Sequence, residues 1–371
     1  MNYIKGADIS TLIEVESCGG KYYDAEGKET ELLSFLKKQG IDTVRIRLWH
    51  DPYDEDGNPY GAGTNDLSCF IKLSRRAREA GLKVLLDYHY SDFWTDPGKQ
   101  FKPKAWGAFN ADQLEEAVYE YTKETLSVLR NEGLSPYMIQ IGNELSNGLL
   151  WPEGKVPAYG NIARFVNAGL KAATEISPES IRMIHLDNGG NNGLYRGWFD
   201  SYFEEGGADF DVIGLSYYPF WHGTLADLSA NMNDIALRYH KDLLIAEVST
   251  GFTMEDYAHY EGLSAEERIG YATKEALVGK IEHPMTKEGQ CAFLKALFRV
   301  IDEVPEGRGR GFIYWEPGWI PVPGSGWATK EALKYLDSPG PVGNEWANQA
   351  LFDYEGHALP AWEVIRDHAG I

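Results

Sequence analysis

Two glutamates stand where short apolar runs stop. The run YMIQI from Tyr137, bounded by Pro136, breaks into Gly142-Asn143-Glu144, and DLLIAEV from Asp242 carries Glu247 beside its end. Two carboxylates at the ends of buried strands are what glycosidic bond cleavage requires. One stays protonated and donates to the leaving oxygen; the other stays ionised to attack the anomeric carbon or to activate water. Neighbouring carboxylates resist ionising together, which separates their pKa values and divides the two roles. An arginine beside one of them holds it charged. Arg45 and Arg47 are the candidates, with Tyr217 as a hydroxyl donor to the same carboxylate and Asn143 placed for a sugar hydroxyl.

Each of these residues also has a plainer reading. Arg45 with Asp87 reads equally well as a structural ion pair, His89 as a hydrogen-bonded buried histidine, and the tryptophans as core. The coincidence of positions favours the functional reading. Asp87-Tyr88-His89, His185-Leu186-Asp187-Asn188, Ser216-Tyr217-Tyr218 and Tyr314-Trp315-Glu316 all close apolar runs in the same way. Rival chemistries lack their motifs: His89 and His185 are too few and unclustered for zinc, with no HxH or HExxH. No GxSxG elbow and no P-loop occur, and no cofactor is called for.

Eight short runs must position these groups. They start at Ile4, Thr43, Lys83, Tyr137, Ile181, Asp211, Asp242 and Gly311 and alternate with amphipathic stretches. Helices are expected from Glu31, Leu67 and Asp112, and near Asn161–Thr174, Ala226–Tyr239 and Lys287–Asp302. The first three end in Gly40, Gly81 and Gly133, as a left-handed helix stop requires. Strand-helix alternation predicts an α/β fold, a (β/α)8 TIM barrel with extended βα loops, as one catalytic domain over residues 1–371. In such a barrel function gathers at the carboxyl ends of the strands. In the second run Val44, Ile46 and Leu48 alternate with Arg45 and Arg47, so the arginines face the interior.

The formal net charge of −21 disfavours nucleic acid, anionic membranes and polyanionic substrates, and a neutral ligand fits best. Eleven Trp and 22 Tyr supply rings enough for stacking on sugar faces as well as for a core. Cys18, Cys69 and Cys291 are odd in number and widely separated, so no disulfide framework is expected. No run approaches a membrane span, and a monomer is expected. The chain opens MNYIKGADIS, without a basic-then-apolar leader. It is therefore expected in the cytoplasm if Met1 is the native start, and secreted if the chain is a processed or engineered mature form.

The blocks GADIS, TVRIRLWHDP, LLDYHYSDFWTDPGKQ, KPKAW, QIGNE, HLDNG, GLSYYPFWHG, IAEVS, YWEPGWIP, GSGWAT and NQALFD run in order from Gly6 to Asp353. They resemble glycoside hydrolase family 53, the endo-β-1,4-galactanases, within clan A of the retaining glycoside hydrolases. The resemblance implies hydrolysis of internal β-1,4-galactosidic bonds in galactan and type I arabinogalactan with retention of configuration. It implies Glu144 as acid/base and Glu247 as nucleophile. Arg45, His89, Asn143, Tyr217 and Trp315 would surround the sugar at the cleaved bond, with Trp94, Asp187 and Trp319 nearer the distant sugars. It also implies a cis peptide between Trp315 and Glu316. Some bacterial members carry a calcium site in the loop after the seventh strand. Here that loop reads GFTMEDYAHYEGLSAEERIGYATKEAL, with only Asp256 and His259 faintly similar, so no metal site is expected.

Overall fold

The structure, a computed structural model, describes residues 2–255, 257, 278–338 and 340–370. Eight parallel strands close into a barrel in sequential order: β1 Ile4–Asp8, β2 Thr43–Leu48, β3 Lys83–Tyr88, β4 Met138–Ile141, β5 Ile181–Leu186, β6 Val212–Tyr217, β7 Asp242–Val248 and β8 Gly309–Tyr314, with β8 pairing back onto β1. The main helices between them are α1 Leu32–Lys38, α2 Leu67–Glu79, α3 Ala111–Asn131, α4 Tyr159–Ile176, α5 Asn192–Glu204, α6 Leu225–Tyr239 and α7 Lys287–Asp302, and α8 Ala361–Asp367 follows β8; short helices Leu12–Ser17 and Lys330–Tyr335 lie in the loops after β1 and β8. This is the predicted (β/α)8 barrel. Gly40, Gly81 and Gly133 stop α1, α2 and α3 at φ of +84°, +71° and +68°. Helix α5 was not anticipated. Gly193 and Gly197 interrupt its sequence, yet its buried rings Tyr195, Trp198, Phe199 and Tyr202 fall at the helical spacing i, i+3, i+4, i+7.

Strand alternation divides the barrel into two chemistries. Residues of one parity, such as Val44, Ile46, Leu48, Leu86, Ile139, Ile184 and Ile213, pack against the helices. The other parity fills the barrel in layers. Ile4, Leu85, Met138, Met183, Val212, Leu244 and Ile313 form an apolar floor. Towards the carboxyl ends, Arg45, Asp87, Gln140, His185 and Ser216 replace it with buried polar side chains. Apolar side chains thus seal one end of the barrel, and the other end carries the charge.

Beyond the strands the backbone turns sharply. Tyr90, Glu144, Asn188 and Glu316 all adopt left-handed φ, between +48° and +56°, within three residues of the ends of β3, β4, β5 and β8. Such conformations are costly for residues with a Cβ and cluster where function holds them in place. Two cis peptides occur among the described residues, Trp151–Pro152 and Val156–Pro157. The expected cis bond at Trp315–Glu316 is absent; the chain there turns through the positive φ of Glu316, whose carboxylate is tied to Arg47 and Thr11.

Candidate active site

Glu144 is positioned by a turn that its own sequence builds. Gly142 at φ +80° lifts the chain out of β4, and a Cβ there would lie 2.7 Å from Leu145 Cδ2. The next turn is pinned from three sides. Gln100 Nε2 donates to the Asn143 carbonyl at 2.8 Å, Trp198 Nε1 donates to the Leu145 carbonyl at 2.7 Å, and Asn143 Nδ2 donates to the Thr95 carbonyl at 2.9 Å. The Glu144 carboxylate then accepts a 2.6 Å hydrogen bond from Ser216 Oγ at Oε1.

Glu247 reaches the same space by a bulge. Leu215 pairs with Ile245, but Ser216 pairs with Glu247, so Ala246 is the extra residue of β7. Strict alternation would send Glu247 outward with Leu243 and Ile245. The bulge lets Ala246 and Glu247 both face inward and returns Val248 to the helix side. Glu247 Oε1 lies 2.9 Å from Arg45 Nη1, and its Oε2 accepts from the Tyr218 hydroxyl at 2.7 Å. Carboxylate oxygens of Glu144 and Glu247 lie within 4.8 Å of each other, and the residues are 8% and 6% exposed, both at the floor of one cleft.

The surrounding charges assign different states to the pair. Burial pushes the Glu144 carboxyl well above the usual carboxylate range, and the negative charges of Glu247 and Asp187 add to it, against only the Ser216 hydroxyl. Burial also raises Glu247, to about 7, but Arg45 and Tyr218 oppose it. Of the two, Glu144 keeps the proton. Burial alone would lower the pKa of Arg45, yet Asp87, Glu247 and Asp8 raise it, so the guanidinium remains charged. It binds Asp8 at 3.0 Å and Asp87 at 2.8 Å, and donates to Asn143 Oδ1 at 2.8 Å. Both expectations for Arg45 hold together: the structural pair with Asp87 exists, and the same guanidinium contacts Glu247.

The other expected residues divide. His89 lines the cleft; its Nδ1 faces the donors Trp49 Nε1 and Thr95 N, so Nε2 carries hydrogen towards Asp87 at 3.0 Å. Asn143, Asp187, Trp94, Trp315 and Trp319 also line it. Asp187 Oδ1 is a buried acceptor without a hydrogen-bond partner among the described residues. Arg47 does not contact Glu247: it pairs with Glu316 at 2.8 Å and sits 4.1 Å from the centre of the Trp94 ring. Tyr217 is a correction. Its ring stacks on Phe293 of α7 and its hydroxyl donates to the Gly223 carbonyl, because it has the outward parity of Ile213 and Leu215. Tyr218, one residue on, is the group at Glu247. Sequence reasoning also passed over Asp8, Gln140 and Ser216 as site residues, although strand parity alone identifies all three as inward-facing, and it did not single out Trp346 on the cleft wall. Asp256 and His259, the faint calcium-like positions, lie outside the described residues.

The cleft encloses about 510 Å³, and Trp94, Trp221, Trp315, Trp319, Trp327 and Trp346 line it. Trp221, on the cleft wall, is 39% exposed. A (β/α)8 barrel with a buried carboxylate pair at its carboxyl rim, one member held by arginine, and tryptophan walls defines a glycoside hydrolase of the two-carboxylate kind. The chain belongs to glycosyl hydrolase family 53, whose model matches residues 4–365. It is 34% identical to an endo-beta-1,4-galactanase of Bacillus subtilis (strain 168), covering 98% of this chain and 86% of that protein. It is 33% identical to an arabinogalactan endo-beta-1,4-galactanase of Cellvibrio japonicus (strain Ueda107), covering 96% and 89%. The GH53 catalytic domain of Ignisphaera aggregans superposes with a TM-score of 0.89 at 37% identity, covering 98% of this chain and 96% of that one.

Proposed function

We propose that the protein is a retaining endo-β-1,4-galactanase that hydrolyses internal bonds of galactan and type I arabinogalactan. The reaction class rests on one observation: carboxylate oxygens of Glu144 and Glu247 lie within 4.8 Å, with Arg45 and Tyr218 on Glu247 alone. Retaining enzymes bring their carboxyl groups to about 5–5.5 Å so that one attacks directly, whereas inverting enzymes leave room for a water. The relatives named as endo-β-1,4-galactanases support the choice of sugar, and a neutral polysaccharide suits a chain of net charge −21.

In the first step a Glu247 oxygen bonds to the anomeric carbon while the glycosidic C–O bond breaks, and the leaving oxygen takes the Glu144 proton. In the second step Glu144, now ionised, takes a proton from water, whose oxygen bonds to the anomeric carbon as the ester to Glu247 breaks. Tyr218 stays protonated, since burial and the adjacent Glu247 raise its pKa, and so remains a donor throughout. His89, Asn143 and Trp315 contact the sugar at the cleaved bond, and Asp187 with Trp94 and Trp319 carries its neighbours. The protein incubated with linear galactan is expected to release oligosaccharides whose first-formed anomer, by proton NMR, is β. An initial α-anomer overturns retention, and cleavage of mannan or cellulose in preference to galactan overturns the substrate.

A further inference from the structure

Behind the acid lies a chain of buried groups that the reaction itself does not call on. Ser216 Oγ is 2.6 Å from Glu144 Oε1 and 2.8 Å from His185 Nε2. On its other side, His185 Nδ1 is 3.1 Å from Gln140 Nε2 and 3.0 Å from Asn143 Oδ1. Gln140, His185 and Ser216 are fully buried, and none lines the cleft.

Resting on the assignment of Glu144 as the acid, we propose that His185 and Ser216 are positioning residues that fix which oxygen of Glu144 carries the transferable proton. Protons on these groups are limited in number, which leaves few arrangements of the network. Burial, and then the charge of Arg45, push the His185 pKa well down; the ring is neutral and has a single N–H. The other titratable groups acting on it are Asp87, His89 and His222. Ser216 has a single hydroxyl hydrogen.

The amide of Gln140 sets the direction. Its Oε1 accepts from Arg45 Nε at 3.2 Å and its Nε2 donates to Asp87 Oδ1 at 2.6 Å, partners that fit only one amide orientation. Gln140 therefore presents N–H, not oxygen, to His185 Nδ1. The second Gln140 hydrogen has three acceptors in reach, the Gly142 carbonyl at 3.0 Å and Asn143 Oδ1 and His185 Nδ1 at 3.1 Å; Asn143 Oδ1 already accepts from Arg45, and the proposed arrangement gives that hydrogen to His185 Nδ1. In that arrangement the hydrogen of His185 lies on Nε2 and is donated to Ser216 Oγ. The Ser216 hydroxyl then turns to Glu144 and donates to Oε1. An oxygen that accepts from Ser216 is not the one that carries the acidic hydrogen, so the proton is confined to Oε2, the oxygen without a protein partner among the described residues. In the opposite tautomer His185 Nε2 would accept from Ser216, and Glu144 would hold its proton on Oε1, aimed at Ser216 and away from any leaving group. Arg45, held by Asp87, thus reaches both glutamates: Glu247 by direct contact, and Glu144 through Gln140, His185 and Ser216.

Two measurements on the full-length protein test this. In 15N-histidine NMR of the wild type, with the His185 signals identified by their loss in His185→Gln, Nε2 is expected to be protonated and Nδ1 bare; the reverse pattern overturns the proposal. This readout needs no substrate, so it stands apart from the galactanase assignment, which fails separately if the wild type leaves galactan intact. The second measurement compares Ser216→Ala with wild type on linear galactan and on a dinitrophenyl β-galactobioside, whose leaving group needs no proton. For galactan kcat is expected to fall roughly tenfold or more, part of what a general acid contributes, with little change in KM. The rate of galactosyl-enzyme formation from the activated substrate is expected to fall much less. An equal loss on both substrates marks a merely structural role and overturns the proposal.

Discussion

Arg45 Nη1 lies 2.9 Å from Glu247 Oε1, while the hydroxyl of Ser216 is the side-chain partner of Glu144 among the described residues. That difference divides two otherwise similar buried carboxylates into a nucleophile and an acid. Arg45 is itself held by Asp8 and Asp87, so its charge is fixed by three carboxylates. The network is a buried ion cluster in which every member is paired, the condition under which buried charge is tolerated.

Arg45→Ala breaks that condition. It leaves Asp8, Asp87 and Glu247 without their common cation, and removal of one partner from a buried pair costs roughly 3–5 kcal/mol. Urea unfolding is expected to show that loss. Because Arg45 lowers the pKa of Glu247, its removal raises it, and the acidic limb of the kcat/KM profile moves to higher pH. An acidic limb that stays in place would dissociate Arg45 from the ionisation of Glu247.

Adjacent tyrosines are expected to behave oppositely. Tyr218→Phe removes the 2.7 Å donor to Glu247 and is expected to lower kcat about 10- to 100-fold, the worth of a hydrogen bond to a charged group. Tyr217→Phe loses the bond to the Gly223 carbonyl, costs about 1 kcal/mol of stability and leaves turnover close to wild type. Steady-state kinetics on galactan with thermal unfolding of both variants distinguishes them. Comparable losses of turnover in the two would contradict the placement.

The contrast between these two residues also shows what was legible. The apolar runs announced all eight strands, because a barrel strand buried on both sides needs a continuous apolar core and ends abruptly in polar residues. Parity within a strand was equally legible, and it placed Arg45 and Arg47 correctly. Applied to β6, the same parity puts Ser216 and Tyr218 inward and Tyr217 outward, and the choice of Tyr217 as the donor overlooked it. The bulge at Ala246 was not legible, since nothing in LLIAEV marks a slipped register, and without it Glu247 would face the helices. Nor was the pairing of Arg47 with Glu316, 269 residues apart, which removes that arginine from the carboxylate pair. Helix α5 was missed for a local reason: its glycines lower helix propensity, while its aromatic spacing supplies the packing that overrides them.

Asp187 offers a test of the electrostatics at the acid. Its charge is among the causes that raise the Glu144 pKa, after burial and Glu247. Asp187→Asn keeps the shape and removes the charge, so the Glu144 pKa falls and the alkaline limb of kcat/KM moves to lower pH. A shift in the other direction, measured on galactan across the pH range, would contradict a charged Asp187. Asp187 also lines the cleft, so KM is expected to rise in the same variant.

Stability against pH depends on a carboxyl outside the reaction. Glu14 is half-buried among the loops after β1, β2 and β8; its Oε2 accepts from Gly63 N at 3.0 Å, and the Ser325 hydroxyl lies beside the carboxyl. Burial raises its pKa from 4.5 to about 7, despite the opposing Gly63 bond. Between those values the folded chain holds a proton that the unfolded chain releases, so folding is favoured at low pH and loses stability as pH rises through about 4.5 to 7. The full change is worth roughly 3 kcal/mol. Glu247 and Glu316, each raised to about 7, slope in the same direction, so the variant is compared with wild type rather than read alone. Glu14→Gln keeps the volume and removes the titration, and its urea-unfolding free energy is expected to gain on the wild type as pH rises from 5 to 8, with galactan turnover retained. A difference between the two proteins that does not change with pH would place the Glu14 pKa near its ordinary value.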